Sequence, residues 1–361
     1  MRFESIVSDG MTDWKPRYVI VGAGAIGSTV AVLLARAGAR VICVARPAFA
    51  DALRRAVVIR LDGQNLTAPV DAVTGIEEID PGQQDILILA TKSQDTENVV
   101  RLLSEAYDRS TPLVSLQNGV RNEEFAARSF ECIYAGLVFF SATQLSPSEI
   151  FVPPGRSVAI GLYPAGVDDR AHHMADDLSG AGFEAISSPY VMAMKYGKLI
   201  ANLNNATHAI TGLWLELGAA DEDMRRLMLA VREEGLKVLE RAGIAVEPPV
   251  GVASPIRILG MTEKLRKPAR PGARAEAEKL PVEDRTYASM SQDLHFGRAS
   301  NEAEFLNGEI VRLGRSIGVP TPYNEALLEI VEKMFKDGTK PGIYTPAQLQ
   351  ALVEERSKSG S

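Results

Sequence analysis

Residues 17–46 read RYVIVGAGAIGSTVAVLLARAGARVICVAR, and this stretch restricts the fold more than any other. An apolar run from Tyr18 to Val21 meets three glycines, Gly22, Gly24 and Gly27; a helix-like run to Arg36 follows, then a second apolar run closing at Arg46. Strand, tight turn, helix and strand in that order make the unit that cradles a dinucleotide in a parallel sheet. Gly22 permits the sharp turn out of the strand, Gly24 lets the backbone approach a pyrophosphate, and Gly27 lets helix and strand pack closely. Ala23, Ala25 and Ile26 complete the GAGAIG turn, whose N–H groups at the helix start face the phosphates with the helix dipole behind them. A bare GxGxxG is weak, because glycine-rich turns without a ligand occur in many loops. Here a β-branched strand before it, an Ala/Leu-rich helix after it and a second strand at the right distance supply the context.

The end of that second strand selects the cofactor. NAD-selective domains place an acidic residue there to accept hydrogen bonds from the ribose 2′-hydroxyl, whereas about twenty residues beyond Gly24 this chain has Ala45-Arg46. A carboxylate repels a 2′-phosphate; a guanidinium grips it by paired hydrogen bonds and stacks on adenine. NADP is therefore the cofactor expected, against the plainer reading of Arg46 as a solvated arginine at a strand end.

A chain of 361 residues with 46% hydrophobic residues can bury two modest cores. The net charge of -7 argues against a nucleic-acid surface, so a small-molecule partner is expected. Two cysteines, Cys43 and Cys132, exclude a disulfide framework and a zinc cluster, and both read as buried small hydrophobes; no metal site is expected. No stretch approaches the roughly 18 apolar residues of a membrane helix, and the start lacks a basic region followed by an apolar one. A cytoplasmic protein is the expectation.

Residues 1–15 read as a loose leader. After the opening unit, strands are expected at 57–61, in an extended stretch near 66–73 beyond the Asp62-Gly63 turn, in the apolar run of DILILATKSQD at 85–95 and at 112–120, with a helix over 94–107. The unbroken apolar DILILA suits a strand buried on both faces, so Thr91-Lys92-Ser93 at its carboxyl end, and Gln117-Asn118-Gly119 at the end of the next strand, should open into the ligand crevice. Residues 132–162 suit antiparallel additions to the sheet edge, with Gly161 ending a strand; 168–182 reads as a helix and 183–187 as the last strand. Beyond Pro189 the periodicity is helical at 190–209, 221–242, 251–266, 282–295, 302–317 and 323–336. Residues 267–279 read as a mobile loop and the tail after Glu355 as disordered. The fold class expected is α/β: a Rossmann-like, doubly wound parallel sheet over 16–188, followed by an all-helical domain over 189–350.

In the helix 190–209, Lys195, Lys198, Asn202 and Asn205 follow at three- or four-residue steps and share one face. Two asparagines have poor helix propensity, so a cleft-facing polar stripe and a plain solvated face compete as explanations. A second site-like stretch is SMSQD at 289–293 followed by 301–322. There Glu302, Glu304 and Glu309 also suit the first turns of a helix for dipole reasons alone.

Taken together, GAGAIG, Arg46, the Lys92 of ATKSQD, QNG at 117–119, KLxxN at 198–202, Ser289-Met290 and the LNGEIVRLGRSIGVPTPYNEAL run resemble the 2-dehydropantoate 2-reductase (ketopantoate reductase) family. The resemblance spans about residues 16–340, with its motifs in the family's order. It implies NADPH-dependent reduction of 2-dehydropantoate to pantoate, in pantothenate biosynthesis, with chemistry between the two domains. It further implies that Gly22, Gly24, Gly27 and Arg46 hold NADPH with Lys92 and Asn118 at the rim, that Lys198 is the general acid, that Asn202 binds substrate, and that Ser289 and Glu302 complete the pocket. Hydride delivery to a ketone carbon builds negative charge on oxygen, which an ammonium both stabilises and protonates. A lysine of ordinary pKa, about 10.4, is already protonated at neutral pH and needs no tuning. Glu302 would hold the lysine or accept from a substrate hydroxyl, and Lys195 is the rival acid.

Two single positions and one four-residue stretch, which keeps the key glutamate, depart from the family pattern. Tyr196 stands for a tryptophan, Ala206 for a second asparagine, and Asn301-Glu302-Ala303-Glu304 for Thr-Glu-Ile-Asp. Asn205 is adjacent to Ala206, but neighbouring helical positions diverge by roughly 100°. Reduction of another 2-oxo acid or ketone, an imine-forming reductase and an NADP-binding sensor without turnover thus stay as alternatives. The apolar residues of the helical domain would support a homodimer.

Overall fold

The computed structural model describes residues 14–297 and 302–359. The chain divides into two compact units: one comprises residues up to Thr91, Asp95–Gln117 and Glu123–Ser188; the other comprises Lys92–Gln94, Asn118–Asn122 and the chain from Pro189.

In the first unit β1 (Arg17–Val21), α1 (Ala25–Arg36) and β2 (Arg40–Val44) form the opening strand, helix and strand. Then come α2 (Pro47–Arg55), β3 (Val57–Leu61), β4 (Gln64–Ala68), β5 (Asp71–Val73), β6 (Asp85–Leu89), α3 (Thr96–Ala106), β7 (Leu113–Ser115), α4 (Asn122–Ala127) and β8 (Ile133–Phe139). The unit closes with β9 (Thr143–Ser146), β10 (Glu149–Val152), β11 (Ser157–Leu162), α5 (Asp169–Gly180) and β12 (Glu184–Ser187). The large sheet runs β12-β11-β8-β7-β6-β1-β2-β5. Its pairings are parallel except β8 with β11. Tyr18, Ile20, Ile86 and Ile88 enter one core, while Val19, Val21, Leu87 and Leu89 enter another. Burial on both faces is why these strands read as unbroken apolar runs rather than alternating ones.

Several expectations are corrected here. Residues 66–73 are two strands in two sheets: Pro69, which has no N–H to donate, separates β4 from β5, and β4 joins a small sheet of order β4-β3-β10-β9. Of residues 132–162, β8 is parallel to β7, the β9/β10 hairpin lies in the small sheet, and β11 alone is antiparallel in the large one. Gly161 does not end its strand, which continues through Leu162. The strand expected over 112–120 stops at Ser115, because Gln117 turns its side chain onto Thr91 and Thr96. The leader reading lies outside the described residues for 1–13; Trp14 is packed edge-on against His173, centroids 4.8 Å apart.

The second unit contains α6 (Val191–Asn202), α7 (Asn204–Thr211), α8 (Leu215–Ala220), α9 (Glu222–Arg241), α10 (Ile258–Arg266), α11 (Ala273–Glu278), α12 (Ser289–His295), α13 (Asn307–Ile317), α14 (Pro322–Asp337) and α15 (Pro346–Ser359). The helix expected over 190–209 is interrupted at Leu203, whose carbonyl accepts from Asn307 Nδ2 at 3.1 Å instead of serving a regular ladder. Leu203 keeps helical dihedrals (φ -53, ψ -33), so α6 and α7 run on nearly in phase. The helix of 251–266 begins only at Ile258, after Pro255. That of 282–295 begins at Ser289, because Thr286 gives its carbonyl to Leu215 and its N–H to Glu216. That of 302–317 is a 3₁₀ turn at Ala303–Phe305 and then α13. Residues 267–279 are not simply a loop: α11 buries Ala277 against Leu217 and Ala220, and Arg274 bonds Asp221. The tail is helical past Glu355, because Leu349 and Val353 anchor α15 in the core. Among the described residues no helix is long and apolar enough to cross a membrane.

Candidate active site

The glycine turn has the geometry its spacing predicts. Gly22 sits at φ +104, and a Cβ there would lie 2.6 Å from Thr91 N. A Cβ on Gly27 would lie 2.0 Å from the Gly22 carbonyl oxygen, so α1 closes on the turn only without a side chain. Around Gly24 a Cβ would meet nothing within 4 Å, which leaves its backbone open to a ligand. α1 starts at Ala25 with no side-chain cap and no acidic residue in its first turn, so its N–H groups remain for an anion. Gly22 N donates to Val44 O at 3.1 Å and Ala90 N to Val21 O at 2.9 Å, tying the carboxyl ends of β2, β1 and β6 together. Ala23 is buried, and Ala25 and Ile26 pack on the sheet core.

Arg46 is exposed and immediately precedes α2, with its guanidinium 5.1 Å from the Phe49 ring centroid. Among the described residues no carboxylate pairs with it, which leaves its donor fork for an anion such as a 2′-phosphate. The Phe49 platform, one turn into α2, was not visible in the sequence pattern, because the helix itself was not expected.

In the second unit Lys198 and Lys195 lie a turn apart on α6. Burial first, and the neighbouring Lys195 charge second, pull the Lys198 ammonium down to about 8, with Glu302 opposing the shift. Lys198 therefore does not keep the ordinary lysine value expected, because its surroundings penalise the charged form. Glu302 is 8% exposed and binds a lysine, but that lysine is Lys92: Lys92 Nζ donates to Glu302 Oε2 at 2.7 Å and to Asp293 Oδ2 at 3.1 Å. Although burial disfavours the Lys92 charge, the two carboxylates hold its pKa above the usual value. Asp293 is thus a site-like residue that sequence reasoning missed; its only signal was its position one turn after Ser289 in SMSQD.

Asn202 is half-buried one turn beyond Lys198. Asn205 Nδ2 donates to Ser289 Oγ at 3.3 Å, while Ala206 is fully buried in the helical core. The stripe Lys198, Asn202, Asn205 therefore survives the interruption at Leu203, and Ala206 belongs to the core beside it. Asn118 is placed through its carbonyl, which accepts from Ser93 Oγ at 2.9 Å and Asn122 Nδ2 at 2.7 Å.

Comparison with known proteins fits this arrangement. Residues 18–165 match the family described as ketopantoate reductase PanE/ApbA, and residues 190–335 match its C-terminal counterpart. The chain belongs to the ketopantoate reductase family. It is accordingly an oxidoreductase acting on CH–OH groups. The 2-dehydropantoate 2-reductase of Pyrococcus horikoshii is 29% identical over 87% of this chain and 95% of its own length. That of Archaeoglobus fulgidus is 28% identical over 87% and 96%. A PanE/ApbA family ketopantoate reductase from Ralstonia eutropha superposes with TM-score 0.73 at 26% identity, covering 89% of this chain and 99% of that one. D-mandelate dehydrogenase, in a ternary structure with NADH, shares the fold at TM-score 0.73 and 21% identity, covering 90% and 99%.

Proposed function

We propose that this chain reduces 2-dehydropantoate, or a closely similar 2-oxo acid, to the 2-hydroxy acid with NADPH. The observation that carries the reading is Lys198, an ammonium brought to about 8 beside Glu302 on a helix face that also presents Asn202 and Asn205. GAGAIG and Arg46 fit the cofactor: an open backbone at Gly24, uncapped N–H groups at the α1 start and an unpaired guanidinium stacked on Phe49 are what a dinucleotide carrying a 2′-phosphate needs. When bound, the nicotinamide supplies the hydride.

Lys198 Nζ–H donates to the substrate carbonyl oxygen and gives up a proton as charge develops there. A pKa of about 8 keeps the group protonated at neutral pH while making it a better acid than an ordinary lysine. Asn202 and Ser289 orient the substrate, with Asn205 positioning Ser289: its amide donates to the serine oxygen, so the serine proton stays available for a carboxylate. Glu302, fixed by Lys92, opposes the lowering of the Lys198 pKa by burial and Lys195. A homodimer in the cytoplasm belongs to this reading, checked by sedimentation.

The test measures NADPH oxidation with 2-dehydropantoate and a panel of 2-oxo acids in wild type, Lys198→Ala, Lys195→Ala and Asn205→Ala. Lys198→Ala should lose about a hundredfold or more in kcat, the usual worth of a general acid. Asn205→Ala should raise the substrate KM about fivefold, one hydrogen bond's worth, without changing NADPH affinity. An unchanged rate in Lys198→Ala would end the assigned role. NADPH binding without turnover on any 2-oxo acid would favour a sensor instead.

A further inference from the structure

Arg232, on α9, is only 9% exposed, and among the described residues no carboxylate pairs with it. Its Nε is buried without a hydrogen-bond partner, and burial alone lowers its pKa to about 10. A guanidinium withdrawn from water without a counter-charge is strongly unfavourable. Asn204, at the start of α7, is in a like condition: it is 3% exposed, and neither its Oδ1 nor its Nδ2 has a partner.

The two residues lie on helices that pack against each other. Thr211 Oγ1 donates to Met224 Sδ at 3.8 Å toward one end of the α7–α9 contact. At the other end a Cβ on Gly235 would meet Leu203 Cδ1 at 2.7 Å and Ile200 Cδ1 at 2.8 Å. These contacts set an antiparallel register, with rising numbers on α9 opposite falling numbers on α6 and α7. In that register Asn204 comes level with Arg232. His208 lies one turn beyond Asn204 on the same face. Its Nδ1 must donate to the Leu213 carbonyl, 2.8 Å away, which leaves Nε2 as an acceptor. Burial first, and the Arg232 charge with it, keep His208 below its ordinary pKa, so the charge of the guanidinium is felt at the imidazole.

Buried polar groups in native proteins are almost all paired, so unpaired atoms at the same level of two packed helices point to a ligand. Arg232 and Asn204 Nδ2 offer donors and a positive charge; Asn204 Oδ1 and His208 Nε2 offer acceptors. A water satisfies some of these atoms but leaves the charge unbalanced. We infer that Arg232, Asn204 and His208 form an internal site between α7 and α9 for a small oxyanion that retains a proton, of the class of bicarbonate or hydrogen phosphate. The anion meets the guanidinium by charge-assisted bonds, and its O–H donates to an acceptor of the site. The site uses none of Lys198, Asn202 or Ser289.

The experiment titrates the NADPH-saturated protein, whose own phosphate-binding turn is then filled, with inorganic phosphate, bicarbonate and chloride at constant ionic strength. Thermal midpoint and calorimetric heat are read for wild type, Arg232→Met and Arg232→Lys. Phosphate or bicarbonate should raise the wild-type midpoint saturably while chloride does not, and Arg232→Met should abolish the response. Arg232→Lys, which keeps the charge but loses the planar fork, should weaken binding about tenfold and serves if the methionine variant does not fold. A wild type that ignores both oxyanions, a chloride response equal to theirs, or an Arg232 variant that responds as wild type does would each overturn the site.

Discussion

Lys198 shows how one side chain joins structure to activity. Its ammonium titrates near 8, lowered by burial and by Lys195, and reduction requires the protonated form. The kcat for reduction should therefore be level below pH about 8 and fall about tenfold per pH unit above it, as expected for a single essential acid. The reverse oxidation, which needs the free amine, should rise through the same range. Lys195→Met removes a like charge, so the descending limb should move to higher pH in pH–rate profiles; a limb that stays in place would show that Lys195 does not tune the acid. Arg46 makes a second residue-level claim. Loss of a charge-assisted grip on the 2′-phosphate is worth about 1.5–3 kcal/mol. Arg46→Ala should then raise the KM for NADPH about tenfold to a hundredfold while leaving NADH use nearly unchanged. Equal losses with both cofactors would reduce Arg46 to a solvated strand-end residue.

Among the elements, α14 illustrates how helix starts in the second unit are secured. Its N-cap Thr321 makes no side-chain cap; instead Glu234 on α9 accepts from Tyr323 N at 3.0 Å, Asn324 N at 2.8 Å and Asn324 Nδ2 at 2.8 Å. Burial raises the Glu234 pKa even though these donors oppose it. Glu234→Ala strands buried donors and should cost about 2–3 kcal/mol, typical of bonds to a charged group. Urea unfolding followed by Trp214 fluorescence reads this, and a loss below about 0.5 kcal/mol would mean that water caps the helix equally well. The α6–α7 pair is a second lesson in element boundaries. A three- or four-residue polar spacing was legible, but the interruption at Leu203 was not, because Asn307, some hundred residues later, takes its carbonyl. The interruption is mild enough to keep Asn205 on the stripe and Ala206 in the core.

The whole molecule offers one natural probe for each of its two units: Trp14 belongs to the first and Trp214 to the second. In a Trp214→Phe background, Trp14 reports on the unit that carries GAGAIG and Arg46. NADPH at about a hundred times its Kd should stabilise that unit by about 2.7 kcal/mol, read as a shifted midpoint. No shift would remove the cofactor from this turn. By itself the sequence determined what depends on neighbours within a few residues: the strand, glycine turn and helix of 17–36, the place of Arg46, the doubly buried β6, and a helical second half with a lysine–asparagine face. Those features follow from backbone sterics and side-chain periodicity, which act locally. Only the tertiary structure decided that β8 runs parallel, that β4 and β5 part at Pro69, that Lys92 holds Glu302 and Asp293, and that Asn205 rather than Ala206 reaches Ser289. It also decided the acidity of Lys198, since desolvation, the largest cause, comes from segments distant in the chain. Pairing and burial are settled by which remote surfaces exclude water together, and no local pattern encodes that.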